Sequence, residues 1–334
     1  INITMKKYLA KYQTLRIIWR RIRRINHGFR ILNDYAYDWK RYTKWWHGVG
    51  IDKHQGQRRR ALLKAYHGIE KGLSLQEVRP GFGQEKIKHL TRQIDEWERA
   101  YGLNDVASDA VAALRAYQKC NASHEIHIDW LDDWLRSKPE TERSGGTKPT
   151  TKAEILSATS GTNAAFFASR YSMRQFSSDP VPMAGIRAAI QMAQKTPSVC
   201  NRQGTHAYCF EEAMDALQYQ PGNNGFGHLA SKALVITADL QAFSGAGERN
   251  QAWIDGGMFA MSVLYSLHAL GYGACPLAWS QKAKDDKRVR EALKIPESEV
   301  IIMMIAVGTL PEEFEVAVSQ RISLNQVLIE RTAQ

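Results

Sequence analysis

Apolar positions along this chain follow two regimes. Between positions 8 and 32, Leu9, Tyr12, Leu15, Ile18, Ile22, Ile25, Phe29 and Leu32 recur every three or four residues, the period of one helix face. The same period returns at 58–71, 84–101, 105–119 and 128–137 without β-branched runs, so residues 1–136 are predicted to be all helical. From 153 onward the pattern mixes. It predicts helices at 182–195, 249–270 and 286–293 and strands at 206–210, 233–238 and 300–307, an α+β layout. Between the regimes lies SKPETERSGGTKPTTK, residues 137–152, polar and without large apolar side chains. That is the composition of a flexible linker. The expected organisation is a helical N-terminal region (1–136), a linker (137–152) and an α+β domain (153–334).

Charge changes the picture of the first helix. Residues 1–60 hold 16 of the 45 basic and 3 of the 34 acidic residues, leaving 29 basic against 31 acidic for the rest. The excess therefore belongs to one segment, whose helix carries Lys7, Lys11, Arg16, Arg20, Arg21, Arg23 and Arg24 beside its apolar stripe. An aromatic cluster, Tyr35, Tyr37, Trp39, Tyr42, Trp45 and Trp46, follows. Such a helix either packs on the body with its charges in water, or lies on anionic lipid, where each basic residue adds about 1 kcal/mol. Nucleic acid is the less expected partner. No apolar run reaches the ~20 residues of a membrane span, and arginines interrupt any signal-peptide core. Four cysteines without a CxxC pair suit a reducing cytoplasm. A peripheral position on the inner face of the membrane is compatible with that setting.

Chemistry-bearing residues concentrate in the second half. Arg170-Tyr-Ser-Met-Arg-Gln-Phe176 places two guanidinium groups and a hydroxyl within five residues, donors suited to a phosphate. A predicted helix follows, and Pro197-Ser-Val-Cys-Asn-Arg-Gln203 closes it. Then come Trp253-Ile-Asp-Gly-Gly257 on the long helix, Gly271-Tyr-Gly-Ala-Cys-Pro-Leu-Ala-Trp279, Gly308 at the end of the last strand, and Ser319-Gln-Arg321. In this order the blocks resemble the nitroreductase family over residues 165–330. The family's forms are Arg-x-Ser-x-Arg-x-Phe and Pro-Ser-x-x-Asn-x-Gln. Gly204-Thr205 stands where members commonly have Pro and an aromatic, and Ser319 stands where they often have Lys.

The resemblance implies a three-layer fold with a mainly antiparallel central sheet, an FMN cofactor and a homodimer with FMN at the subunit interface. By the same resemblance Arg170, Tyr171, Ser172, Ser319 and Arg321 surround the phosphate, and Arg174 reaches the pyrimidine side of the ring. Pro197, Ser198 and Val199 cover the flavin from the second subunit, with Asn201 and Gln203 bonding the ribityl chain or their own loop. Pro276, Leu277 and Ala278 belong to a loop at the N5 edge, and Trp279 borders the substrate space. Asn223 or Asn224 either approaches the ring or forms a plain turn. The implied reaction is ping-pong hydride transfer at flavin N5 from NAD(P)H to an electron-poor acceptor, with no catalytic side chain required. The alternative is a membrane-surface or partner-binding protein that uses the basic helix and carries a specialised flavin fold. No metal is expected: His124 and His127 have no distant Cys or His block to complete a tetrahedral set. The glycine-marked stretch 67–83 has helical flanks and lacks the strand that a phosphate loop requires.

Overall fold

The computed structural model describes residues 13–46, 54–75, 78–140, 142–143, 145–147, 149, 164–314, 316 and 323–331. The first helix, α1 (Gln13–Trp45), runs on through the aromatic cluster that the sequence places after it. Its two halves have different surroundings. Tyr37 Oη donates to Asp286 Oδ2 (2.8 Å), Arg41 donates to the carbonyls of Glu297 (3.0 Å) and Glu299, and Tyr42 Oη donates to Gly245 O (2.8 Å). Upstream, Ile18, Ile22, Ile25, Phe29 and Leu32 are exposed, Phe29 at 66 % and Leu32 at 63 %. The packed reading therefore holds for the end of the helix and fails for the stripe from 18 to 32.

Four further helices, α2 (Gln55–Leu73), α3 (Gln84–Tyr101), α4 (Asp105–Ala122) and α5 (Asp129–Arg136), share a core of Leu62, Ile87, Ile94, Leu114 and Leu131. Ala107, Ala110 and Ala113, all fully buried, line one face of α4 and let its neighbours approach closely. After α5 the described residues stay close to these helices. Lys138 Nζ reaches Asp95 (2.8 Å) and Glu98 (2.6 Å), and Arg143 Nε reaches Asp109 (2.6 Å). Gly145 lies so near the α4 backbone that a Cβ there would meet Ala112 C at 2.6 Å. Residues 151–163 of the expected linker and domain start lie outside the described residues.

The second regime forms α6 (Ala164–Ala168), α7 (Met183–Ala193), β1 (Thr205–Phe210), α8 (Ala213–Leu217), β2 (Lys232–Asp239), α9 (Gln251–Ala269), β3 (Tyr272–Ala278), α10 (Ala283–Ala292), β4 (Glu299–Thr309) and α11 (Leu324–Val327). All strand pairs are antiparallel in the order β1-β2-β4-β3. Alternate side chains of a strand face opposite ways. Leu234, Ile236, Ile305 and Val307 accordingly pack with α7 and α9, while Ala233, Val235, Met304 and Ala306 pack with α8 and Val289 of α10. The result is three layers, α+β, as expected. One local expectation is corrected: 272–278 is a sheet strand rather than a loop. Gly271, Gly273 and Pro276 hide its pattern, yet pairing with β4 buries Ala274, Cys275 and Leu277. Proline is tolerated there because β3 is an edge strand with one side free of the ladder.

Candidate functional site

The arginine block lies beside β3 and is anchored by its phenylalanine. Met173 N donates to Ala274 O (3.0 Å), and Ser177 N donates to Thr309 O (2.9 Å). Between them Phe176 sits over Gly308 and Gly273, which face each other across β3 and β4. A Cβ on Gly308 would meet Phe176 Cδ1 at 2.5 Å, so the ring occupies space that only a glycine leaves. Arg174 and Tyr171 are exposed, and Arg170 and Ser172 are half-buried. Neither arginine has a carboxylate partner among the described residues. Arg174 Nη1 donates to Ser172 O (3.3 Å), and its guanidinium stands 6.0 Å from the Phe226 ring centre. Both arginines lie near Cys275: burial pushes its thiol pKa up, and Arg174 and Arg170 pull it the other way. A cavity of about 220 Å³ opens here, lined by Arg170, Met173, Leu264, His268, Tyr272 and Phe314 among others. Ser319 and Arg321 lie outside the described residues.

Pro197 to Gln203 occupies the other edge of the sheet, leading into β1. Cys200, Asn201 and Gln203 all have left-handed φ, at 49°, 51° and 50°, which costs a non-glycine residue about 1 kcal/mol or more. Hydrogen bonds from every side hold that shape. Gln203 N donates to Ser198 Oγ (2.9 Å), Val199 N donates to Asp255 Oδ2 (3.1 Å), and Asn201 N donates to Ser198 O (2.9 Å). Arg202, fully buried, grips Glu248 through two bonds of 2.8 Å. Arg60 of α2 donates to the carbonyls of Arg202 and Gln203 (2.7 Å to the latter) and lies 3.9 Å from Asp239. Burial lowers the Arg60 pKa to about 10. Gly204 packs onto the Ala242 methyl where any side chain would collide, which accounts for glycine at a position the family gives to proline.

A cavity of about 660 Å³ adjoins this loop, lined by Arg59 and Arg60 from α2, Gln194, Thr196, Pro197, Ser198 and Gln203, with His206, Asp239, Asp255 and Phe259 behind. At its back Glu299 is buried. His206 Nδ1 lies 3.0 Å from Glu299 Oε1, Tyr208 Oη donates to the same oxygen (2.9 Å), and Thr237 donates to the other. Burial raises the Glu299 pKa, but these bonds outweigh it and hold the carboxyl below the usual range.

The two cavities sit at different places along α9, one beside Asp255 and Phe259, the other beside Leu264 and His268. Asp255 and His268 are roughly 20 Å apart at 1.5 Å per helical residue. One chain thus presents two separated cavities along α9. Trp279, at the end of β3, donates from Nε1 to Asp286 Oδ1 (2.8 Å), the carboxylate that also anchors Tyr37 of α1. Pro276 is half-buried, Leu277 buried and Ala278 exposed. Asn223 takes the plain-turn role, donating to Leu217 O (2.7 Å). Sequence reasoning missed Arg60, Arg202, Glu248, His206 and Glu299, whose ion-pair partners are 46 to 179 residues away. His206 opens the predicted strand 206–210 and Glu299 stands just before the predicted strand 300–307, so no local pattern marks the pair as buried.

Comparison with known proteins bears on the sheet domain alone. Residues 167–309 match the model of the nitroreductase family. Among solved structures, an FMN-dependent nitroreductase from Clostridium difficile aligns at 22 % identity over 50 % of this chain and 98 % of that one, with a TM-score of 0.42. A nitroreductase family protein from Streptococcus pneumoniae aligns at 18 % identity over 50 % and 98 %, TM-score 0.44. A protein from Desulfovibrio desulfuricans solved in complex with FMN aligns at 18 % identity over 51 % and 96 %, TM-score 0.44. No curated protein matches the chain. Residues 167–309 are a nitroreductase-family domain.

Proposed function

We propose that this domain binds FMN and serves as a homodimeric oxidoreductase that takes electron pairs from NAD(P)H and passes them to an electron-poor acceptor. The observation that carries the reading is the donor set of the arginine block: two guanidinium groups and a hydroxyl, anchored by Phe176, with no carboxylate to neutralise them among the described residues. That set fits a flavin phosphate, which carries up to two negative charges and favours charge-assisted bonds from Arg. When bound, FMN supplies a hydride acceptor and donor at N5. Arg170, Ser172, Ser319 and Arg321 would hold the phosphate, and Tyr171 would flank it. Arg174 would face the pyrimidine side and favour negative charge there. Pro276, Leu277 and Ala278 would border the ring. The separation of the two cavities along α9 supports a second copy whose Pro197, Ser198 and Val199 cover the flavin, with Asn201 and Gln203 shaping that loop. Residues 153–334 would form this unit, and residues 1–136 a helical region joined to it through 137–152.

The test is reconstitution. Purified protein incubated with FMN should turn yellow and retain flavin through gel filtration at one per chain, eluting as a dimer. A colourless product, or an Arg170→Ala/Arg321→Ala variant that keeps full flavin occupancy, would overturn the reading.

A second reading concerns α1. The stripe Ile18, Ile22, Ile25, Phe29 and Leu32 is exposed, and residues 1–33 carry Lys and Arg but no Asp or Glu. This combination favours an anionic lipid surface, because like charges disfavour pairing of two such helices. The protein would then work peripherally at the inner face of the membrane. Sedimentation with phosphatidylglycerol vesicles should capture the full chain at low salt. Equal capture of a variant with Arg20, Arg21, Arg23 and Arg24 changed to Gln would sink the idea.

A further inference from the structure

The cavity beside Ser198 is built by two parts of the chain, and only one of them belongs to the nitroreductase-family domain. Arg59 and Arg60 enter it from α2, in the helical region outside the matched residues. Its lining is mixed. Ile190, Pro197, Ala207 and Phe259 supply apolar lining, and the rest of the lining, Arg59 and His206 included, is polar or charged. At about 660 Å³ it falls within the usual range of small-molecule sites, about 300 to 1,000 Å³.

Counting committed charges identifies what the cavity lacks. Asp255 accepts from Val199 N (3.1 Å) and Gln251 Nε2 (2.8 Å). Asp239 accepts from Gln241 N (3.0 Å) and lies 3.9 Å from Arg60 Nη2, while Arg60 Nη1 donates to the Arg202 and Gln203 carbonyls. His206 is turned by Glu299, which takes up its Nδ1 and leaves Nε2 for a ligand. Arg59 is exposed and has no carboxylate partner among the described residues. Both carboxylates of the cavity are thus held by hydrogen bonds, and Arg59 is its cation with donors open to a ligand.

We propose that this cavity binds the acceptor of the flavin reaction as a small organic anion, a carboxylate on a flat apolar body. Arg59 takes the carboxylate and the apolar lining at Ile190 and Phe259 takes the body. The helical region would then act as a specificity element that the family domain alone does not possess. This rests on the flavin reading, since Pro197 and Ser198, which line the cavity, are the residues assigned there to the flavin ring of the second subunit.

Two matched nitroaromatics test it: 4-nitrobenzoate, anionic, and 4-nitrobenzamide, neutral and of similar shape. The FMN-loaded full-length protein should reduce 4-nitrobenzoate with the higher kcat/KM, and Arg59→Gln should lower the ratio of the two values about tenfold or more, the size expected for a charge-assisted bond. Arg58→Gln, which removes the same charge one residue away, should keep the ratio. Calorimetry supplies a second readout. 4-Nitrobenzoate should bind the wild-type protein, and Arg59→Gln should weaken that binding by a similar factor, with its circular dichroism spectrum confirming that it is folded. Protein that holds FMN yet shows no preference for the anion, or keeps it in Arg59→Gln, overturns the cavity assignment and leaves the flavin reading intact. Protein that takes up no FMN but still binds 4-nitrobenzoate through Arg59 sinks the flavin reading and leaves an anion site.

Discussion

Arg202 and Glu248 are joined by two parallel hydrogen bonds of 2.8 Å beneath the loop that carries Ser198, and the arginine is completely enclosed. The same carboxylate accepts from Ser244 N (2.6 Å), so one ion pair ties the loop to the approach of α9. Removing one partner of a buried pair leaves the other charge uncompensated, typically at a cost of about 3–5 kcal/mol. Because Glu248 keeps some contact with solvent, we expect Arg202→Ala to lie at the lower end of that range. Chemical denaturation monitored by circular dichroism should show the loss, and an unchanged midpoint would mean that the pair does not hold the fold. The left-handed residues Cys200, Asn201 and Gln203 should also lose their hold, seen as faster amide exchange at 199–204.

Acid should weaken the structure through three carboxylates. Burial raises the pKa of Glu248, Asp286 and Glu299, but hydrogen bonds from Arg202, from Trp279, Arg290 and Tyr37, and from His206, Thr237 and Tyr208 respectively bring each below its ordinary value. A folded pKa below the unfolded one stabilises the protein above the unfolded value and loses that contribution as pH falls through the folded pKa. We expect the thermal midpoint to drop as pH falls below about 4.5. Asp239, whose pKa burial raises, works in the opposite sense and softens the drop. Glu299→Gln should flatten the acid limb while lowering the midpoint at neutral pH. An acid limb of undiminished slope in that variant would rule out the Glu299 contribution.

The two halves of α1 should respond differently to substitution. Arg41 is buried and donates to the Glu297 and Glu299 carbonyls, while Ile25 is 58 % exposed. Arg41→Ala leaves those carbonyls unpartnered and should cost about 2 kcal/mol or more. It should also release the helix to limited proteolysis at its arginines. Ile25→Ser should stay within about 0.5 kcal/mol, as surface changes usually do. Equal effects of the two would contradict the docking contacts.

Gly308→Val inserts a branched side chain where the Phe176 ring sits. Overpacking of this kind costs about 1–3 kcal/mol. Displacing the ring would also unseat Arg170 and Arg174, so FMN affinity should fall in step with stability. Gly308→Val/Phe176→Ala should recover stability relative to the single variant but not FMN binding. Recovery of both would show that Phe176 does not position the arginines.

Periodicity alone determined the helices at 58–71, 84–101 and 105–119 and the strands at 206–210, 233–238 and 300–307, each within a few residues of its observed span. Local pattern suffices there because a 3.6-residue or two-residue repeat directly encodes which face is buried. The ordered blocks beginning at Arg170 and Pro197 likewise carried the family assignment. Tertiary structure decided the rest. Strand β3 is invisible to pattern because Gly273 and Pro276 interrupt it, and only pairing with β4 makes it a strand. The split of α1 into an anchored and an exposed half depends on where Asp286 and the Glu297 carbonyl lie, about 250 residues downstream. The cavity that joins Arg59 to Ser198 brings together residues 139 positions apart. Neither segment alone encodes such a meeting, because it depends on how the helical core and the sheet domain pack against each other.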